Sequence, residues 1–151
     1  MGNYPAALEM LQKAIAIFEN PFGIATLIGV VTVPAGQIGP PTVYRNTGVV
    51  YCKMGNYPAA LEMYHKALAI WEKLEHSATA GSYSNIGVVY ASMGDNEKAL
   101  EFSQKALAIR EKVLGSEHPA TVKTLQRIAE LHELMGNTEE ANAIQKKLGK
   151  Q

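Results

Sequence analysis

Cysteine is almost absent from this sequence, because Cys52 is the only one among 151 residues. A single cysteine cannot form an internal disulfide or a metal site built from several cysteines. A positively charged leader followed by an apolar stretch and a small-residue cleavage site is missing from the first residues as well. Together these absences predict a reduced, cytoplasmic protein.

An excess of charge of either sign is also missing. The 14 Lys and Arg residues balance 14 Asp and Glu residues, so the formal net charge is zero at pH 7. Because nucleic acids and anionic membranes attract basic surfaces, this balance argues against both as partners. Hydrophobic residues make up 47% of the sequence, which is enough to build a core and argues against wholesale disorder.

A long uninterrupted apolar run is missing too. Residues 22–33 are almost wholly apolar, but Gly23 and Gly29 interrupt them and Pro34 follows. Such a segment is too short to cross the hydrocarbon core of a bilayer as a helix. We therefore expect no membrane partner.

Signatures of catalysis and of cofactor binding do not occur. The sequence has no GxxxxGK(S/T), GxGxxG, GxSxG or HExxH motif. Its histidines never fall at metal-ligand spacing, and none lies beside Cys52; they are His65, His76, His118 and His132. We expect no enzymatic activity, no cofactor and no metal site.

What the sequence does contain is an internal repeat. MGNYPAALEM at 1–10 recurs letter for letter at 54–63, and NTGVVYCKMG at 46–55 resembles NIGVVYASMG at 85–94. RIAELHELMG, ending at residue 136, is a degenerate further copy. The Met-Gly pairs begin at residues 1, 54, 93 and 135, so the intervals are 53, 39 and 42 residues. This pattern predicts a repeat protein with a period near 42 residues.

Each copy predicts two helices joined by a glycine turn. Gly55, Gly94 and Gly136 follow the first helix and are expected to end it in a left-handed conformation. Asn137 and Glu140, three residues apart, resemble a capping box for the last helix. Small residues recur at helical spacing and predict close approach of the paired helices; they are Gly48, Ala60, Ala67, Gly87, Ala99 and Ala106.

These residues resemble the tetratricopeptide repeat (TPR). The positions that fall on its pattern in the best copy are Tyr44, Gly48, Tyr51, Gly55, Tyr57, Ala60, Tyr64 and Ala67. The 42-residue spacing, together with EKVLGSEHPATV at 111–122, is similar to the subtype found in kinesin light chains. The resemblance implies an all-α, right-handed superhelical solenoid of about three and a half repeats.

The expected divisions follow from the repeat. They are a half repeat at 1–19, an irregular Gly- and Pro-rich insertion at 20–41, and repeats at 42–76, 77–114 and 115–150, the last degenerate. Residues 20–44 contain four prolines and no charged residue. We therefore expect no regular helix there.

The first predicted helix, within residues 4–18, lacks the helix that precedes it in a full repeat. Its apolar face therefore needs cover, which the insertion or a second molecule could supply; that face comprises Ala7, Leu8, Leu11, Ala14, Ile15 and Phe18. Self-association through this helix is one expectation, and a place within a longer repeat array is another.

The resemblance also implies a function, namely binding a protein partner as a peptide or helix in a concave groove. The family's groove positions correspond here to Arg45, Asn46, Val49, Cys52, Ser84, Asn85, Val88, Lys123, Arg127 and Glu130. Asn46 and Asn85 are equivalent, and an amide can both donate to and accept from a peptide backbone.

Two alternatives to general groove binding stay open. Arg45, Asn85, Lys123 and Arg127 resemble part of the carboxylate clamp with which some TPR adaptors hold the C-terminal tail of a chaperone. Val49 departs from that clamp, which has an asparagine at this place. The other alternative is a purely architectural segment that sets spacing or self-associates.

Overall fold

The computed structural model describes residues 4–19, 39–73 and 78–149. Every regular element in these ranges is an α-helix, which confirms the all-α prediction. The helices are α1 (Tyr4–Glu19), α2 (Pro40–Lys53), α3 (Tyr57–Lys73), α4 (Ala78–Ser92), α5 (Asn96–Leu114), α6 (Pro119–Leu134) and α7 (Thr138–Leu148). The chain divides into two compact units, Met1–Ile70 and Trp71–Gln151.

The turns between paired helices follow the predicted glycine pattern. Gly55, Gly94 and Gly136 have φ angles of 75°, 82° and 80°, in the left-handed region that side chains disfavour. In the first of these turns the amide of Asn56 donates to the carbonyl of Tyr51 at 2.9 Å. This bond satisfies a carbonyl that the end of the helix leaves without a partner, and the glycine prediction is confirmed.

The capping box predicted for α7 is wrong. The side chain of Asn137 accepts no capping hydrogen bond, and its Nδ2 lies 3.4 Å from Nδ1 of His132 instead. The equivalent residue before α5, Asp95, does cap its helix, because its Oδ1 accepts from the Lys98 amide at 3.1 Å. The Asn137 side chain thus contacts the preceding helix and does not cap the following one.

The irregular segment ends earlier than the sequence indicated. Pro40 and Pro41 form the start of α2, so the expectation of no helix through residue 44 is wrong over its last five residues. A proline in the first turn of a helix lacks only an N–H group that would have no helical partner anyway. Gly39 precedes them in an extended conformation. The remainder of the predicted insertion, residues 20–38, lies outside the described residues.

In the first unit, α2 and α3 pack closely where the sequence has small residues. A Cβ atom added to Gly48 would lie 2.7 Å from Cε1 of Tyr64, so only glycine leaves room for this ring. Ala60 and Ala67 on α3 are fully buried. The predicted close approach is confirmed in this pair.

The second unit repeats this arrangement with different partners. Gly87 on α4 faces α5, where an added Cβ atom would lie 3.2 Å from both the carbonyl oxygen of Ala99 and Oγ of Ser103. Ala99 and Ala106 are fully buried. Ser103 stands at the repeat position of Tyr64, so a different set of atoms fills the space beside Gly87 than beside Gly48.

Helix α1 lies against α2. Tyr44 on α2 donates its hydroxyl hydrogen bond to Oε1 of Glu19 at 2.9 Å, and Nε2 of Gln12 donates to the Tyr51 hydroxyl at 3.3 Å. Through these contacts α2 supplies part of the cover that we expected from the insertion or from a second molecule. The cover is incomplete, because no residue of α1 is buried.

The same tyrosine–glutamate contact occurs in each unit. Tyr83 donates to Glu72 just as Tyr44 donates to Glu19, and both glutamates stand at the same repeat position near the end of a second helix. Burial and this hydrogen bond raise the pKa of Tyr44 to about 12. The bond to Glu72, followed by burial, raises the pKa of Tyr83 to about 12 as well.

We expect Gly48→Ala to destabilise the protein by about 1–3 kcal/mol, because the new methyl group overlaps the Tyr64 ring. Gly81→Ala is the matched control, since Gly81 lies inside α4 and an added Cβ atom meets nothing within 4 Å. Alanine has a higher helix propensity than glycine, so this control should stabilise the protein by up to about 1 kcal/mol. Urea unfolding followed by circular dichroism measures both, and equal effects would contradict the packing account.

The tyrosine contacts predict a loss of stability at high pH. An unfolded tyrosine has a pKa of about 10, whereas the pKa of Tyr83 in the folded chain is about 12. The contact of protonated Tyr83 with Glu72 therefore stabilises the folded chain fully below pH 10, and this stabilisation is lost as the pH rises toward 12. In an absorbance titration at 295 nm, the native chain should show ionisation near pH 12 that urea moves to about 10. Tyr83→Phe should remove part of this late ionisation; an unchanged titration curve would contradict the assignment.

Candidate functional site

A recess lies on the second unit where α4, the end of α5 and the start of α6 meet. Its volume is about 230 Å³. The residues that line it are Ser84, Asn85, Val88, Arg110, Ala120, Lys123, Thr124 and Arg127. We call it the basic recess. It gathers five of the predicted groove residues, because Ser84, Asn85 and Val88 lie on one face of α4 while Lys123 and Arg127 lie four residues apart on α6.

Arg127 connects the two groove-forming helices. Its Nη1 donates to the backbone carbonyl oxygen of Ser84 at 3.3 Å. The side chain is half-buried, so this bond fixes the guanidinium position on the wall of the recess. A fixed guanidinium loses less conformational entropy when it binds a ligand than a freely moving one does.

Arg110 is the residue of this site that the sequence analysis missed. Its Nη1 donates to the carbonyl oxygen of Ala120 at 3.4 Å and also to Oγ1 of Thr124. Burial, followed by the positive charge of Arg127, lowers the pKa of Arg110. The two guanidinium groups therefore lie close enough to repel each other, although arginine stays charged at neutral pH.

A sequence signal for Arg110 was present in the repeat. The second helices of three successive copies end in AIFE, AIWE and AIRE, so Arg110 stands where the other copies have Phe18 and Trp71. Trp71 is only 6% exposed. A cation in place of a buried aromatic residue is the departure that points to this position.

The basic recess contains positive charge without a balancing acid. Among the described residues, no carboxylate forms an ion pair with Arg110, Lys123 or Arg127. Glu130, the acidic member of the predicted groove, lies about one turn beyond Arg127 and does not line the basic recess. The recess therefore attracts anionic groups.

An adjoining surface offers apolar contacts. We call it the apolar shelf; its residues are Val88, Ala91, Ser92, Arg127, Glu130, Leu131 and Leu134. Leu134 is 71% exposed, and Val88 and Arg127 line both surfaces. A ligand that combines an anionic group with an apolar side chain can contact the recess and the shelf together.

The remaining predicted groove residues lie on α2 in the first unit. Asn46 is exposed, while Arg45, Val49 and Cys52 are partly buried and share a face of the helix. Tyr64 lies near Cys52 and Arg45. Burial is the main cause that raises the pKa of Tyr64 to about 12; Cys52 adds to the increase and Arg45 opposes it.

Residues 4–19, 39–73 and 78–149 contain neither a metal-binding cluster nor a helix suited to a bilayer. No group of three or more His, Cys, Asp or Glu side chains is placed to hold a metal ion in these ranges. None of their helices combines the length and the apolar character that crossing a bilayer requires.

Comparisons with known proteins identify a matching family and similar folds. A family model described as tetratricopeptide repeat matches residues 41–112 and 78–148. No curated protein matches the sequence.

Three solved structures are similar to the chain. A putative kinesin light chain from Podosopora anserina, with nearly identical TPR-like repeats, has 22% identity and a TM-score of 0.69; the match covers 97% of this chain and 66% of that one. BtubC (BKLC) from P. vanneervenii has 20% identity and a TM-score of 0.68, with 94% and 56% covered. MamA has 22% identity and a TM-score of 0.60, with 98% and 77% covered. At these identities the similarity shows the fold.

Proposed function

Because the chain belongs to the tetratricopeptide repeat family, whose fold is an all-α solenoid used as a protein-interaction scaffold, we propose that it is a non-enzymatic, cytoplasmic scaffold. It binds an extended peptide or a helix of a partner protein on the surface formed by α4 and α6. Neither a cofactor nor a nucleic acid takes part.

The observation that carries this proposal is the basic recess beside the apolar shelf. Lys123 and Arg127 present positive charge that no described carboxylate neutralises. Asn85 lines the same recess, with an amide that can hold a peptide backbone without reading its side chains. Charge, backbone recognition and apolar contact are the elements from which a peptide-binding surface is built.

The predicted groove positions on α2 belong to the same proposal. We propose that Arg45, Asn46, Val49 and Cys52 also contact the partner. Asn46 is the repeat equivalent of Asn85 and its side chain is exposed, so it can offer the same pair of backbone hydrogen bonds.

A narrower form of the proposal is a chaperone adaptor. Asn85, Lys123 and Arg127 lie together in the basic recess and could hold the free carboxylate of a C-terminal tail by charge-assisted hydrogen bonds. Val49, in place of the asparagine of that clamp, argues against a complete clamp. Chaperones among the captured partners would favour this form.

A second candidate function is self-association through α1. The observation that favours it is that no residue of α1 is buried, with Met10 74% exposed and Ile17 48% exposed. An untagged copy of the chain added to the capture experiment below separates this candidate from binding to other proteins.

The test compares wild type with the double variant Lys123→Glu and Arg127→Glu in a cell-lysate pull-down read by mass spectrometry. We expect the variant to lose the specific partners, because two attractive charges become repulsive, and to keep its helical circular dichroism spectrum. The matched control reverses two exposed lysines outside the recess, Lys112→Glu and Lys146→Glu, and changes the net charge by the same amount.

Partners that the control retains and the recess variant loses support the proposal. The same partners captured by all three proteins would contradict it. Capture of the untagged copy alone would favour self-association, and this capture should then decrease when Met10→Lys and Ile17→Lys are introduced, since both side chains are exposed on α1.

A further inference from the structure

The basic recess differs from the equivalent places in the other repeats of this chain. Arg110 replaces an aromatic residue, and Arg127 stands at the repeat position of Asn46 and Asn85. Lys123 stands at the repeat position of Thr42 and Gly81, so all three cations are departures from neutral residues. The positive charge of the recess is a local feature of the α4–α6 region and does not follow from the repeat pattern.

In the described residues, the three cations of the recess have N–H donors that no protein acceptor binds. Nη1 of Arg110 makes both of its hydrogen bonds, and Nη1 of Arg127 makes its bond to Ser84. In the described part of the chain the other guanidinium N–H groups and the Lys123 ammonium have no protein acceptor. A guanidinium offers five N–H donors in a fixed plane, so both arginines can still bind oxygen atoms of a ligand.

Fixed position and mutual repulsion both favour an anion here. The bonds to Ala120 and Ser84 hold Arg110 and Arg127 in place before any ligand arrives. Burial, and then the charge of Arg127, lowers the pKa of Arg110, so Arg127 lies near enough to disfavour the positive charge of Arg110. A bound anion replaces this repulsion by attraction.

The number of cations selects between anions. A carboxylate carries one negative charge and two oxygen atoms, and would neutralise one of the three cations. A phosphate monoester carries a charge of about −1.5 to −2 at pH 7 and has three strong acceptor oxygens. A volume of about 230 Å³ leaves room for such a group.

We propose that the basic recess is a phosphoryl-binding site, in which Arg110, Lys123 and Arg127 bind the phosphate of a phosphorylated side chain in the partner segment. This inference rests on the proposed function for the source of the phosphate. It adds Arg110 to the binding surface and makes partner binding dependent on phosphorylation.

The first test uses the full chain and small probes. Phenyl phosphate and benzoate are titrated separately at low ionic strength, and amide shifts are followed by ¹⁵N nuclear magnetic resonance. We expect phenyl phosphate to bind about tenfold more tightly than benzoate and to shift the amides of Ser84, Lys123 and Arg127. Its affinity should rise from pH 5.5 to pH 7.5, because the second phosphate proton has a pKa of about 6.

Variants identify the residues. Lys123→Met should weaken phenyl phosphate binding about fivefold, and Arg110→Met by at least as much. Because Arg110 also bonds to α6 and its variant could destabilise the fold, the exposed Lys123 keeps the test informative. Lys112→Met, on the same helix as Arg110 but outside the recess, is the control and should bind like wild type.

The outcomes separate this inference from the proposed function. Equal affinity for benzoate and phenyl phosphate, or no binding of either, overturns the phosphoryl site. A pull-down repeated with phosphatase-treated lysate should lose the recess-dependent partners. If those partners are still captured after phosphatase treatment, the inference is wrong and the scaffold proposal stands. If phenyl phosphate binds and no captured partner depends on the recess, the phosphoryl site stands and the groove proposal fails.

Discussion

The close approach of paired helices at Gly48 and at Gly87 is the constraint on which the rest of these two repeats depends. At Gly48 the Tyr64 ring occupies the space where a side chain would begin, and at Gly87 the backbone of Ala99 comes nearly as close. Helices held this closely bury one face completely. The residues that flank the glycine on α4, Asn85 and Val88, are thereby left on the face that looks toward α6.

One face of α4 is used to pack against α5, so function depends on the residues that the face toward α6 carries. In the second unit that face meets α6 at a recess with three cations and no acid. Arg110 is central because it brings charge from the end of α5, a helix that the groove pattern does not include. The apolar shelf beside it adds exposed Leu134, so one surface combines electrostatic attraction with apolar burial. The scaffold proposal concerns this whole surface, and the phosphoryl proposal concerns the basic recess within it.

The sequence predicted those features that depend on local geometry. Gly55 and its equivalents mark the turns because only glycine adopts that backbone conformation without strain. Ala60, Ala67, Ala99 and Ala106 indicate tight packing through helical spacing, and spacing of four placed Lys123 and Arg127 on one face.

Features that depend on the pairing of distant side chains were not predictable in this way. The contacts of Tyr44 with Glu19 and of Arg110 with Ala120 join different helices, so their spacing carries no periodic signal. The Asn137 prediction was wrong because the spacing of Asn137 and Glu140 carries no information on His132, the residue of the preceding helix that the Asn137 side chain contacts.

Site-specific photo-crosslinking tests the binding surface most directly, with benzoylphenylalanine replacing Leu134 on the apolar shelf or Val113 on α5, both exposed apolar residues. Our account predicts a covalent adduct with the captured partner from position 134 and none from position 113, whereas an adduct from position 113 alone, or equal adducts from both, would contradict it.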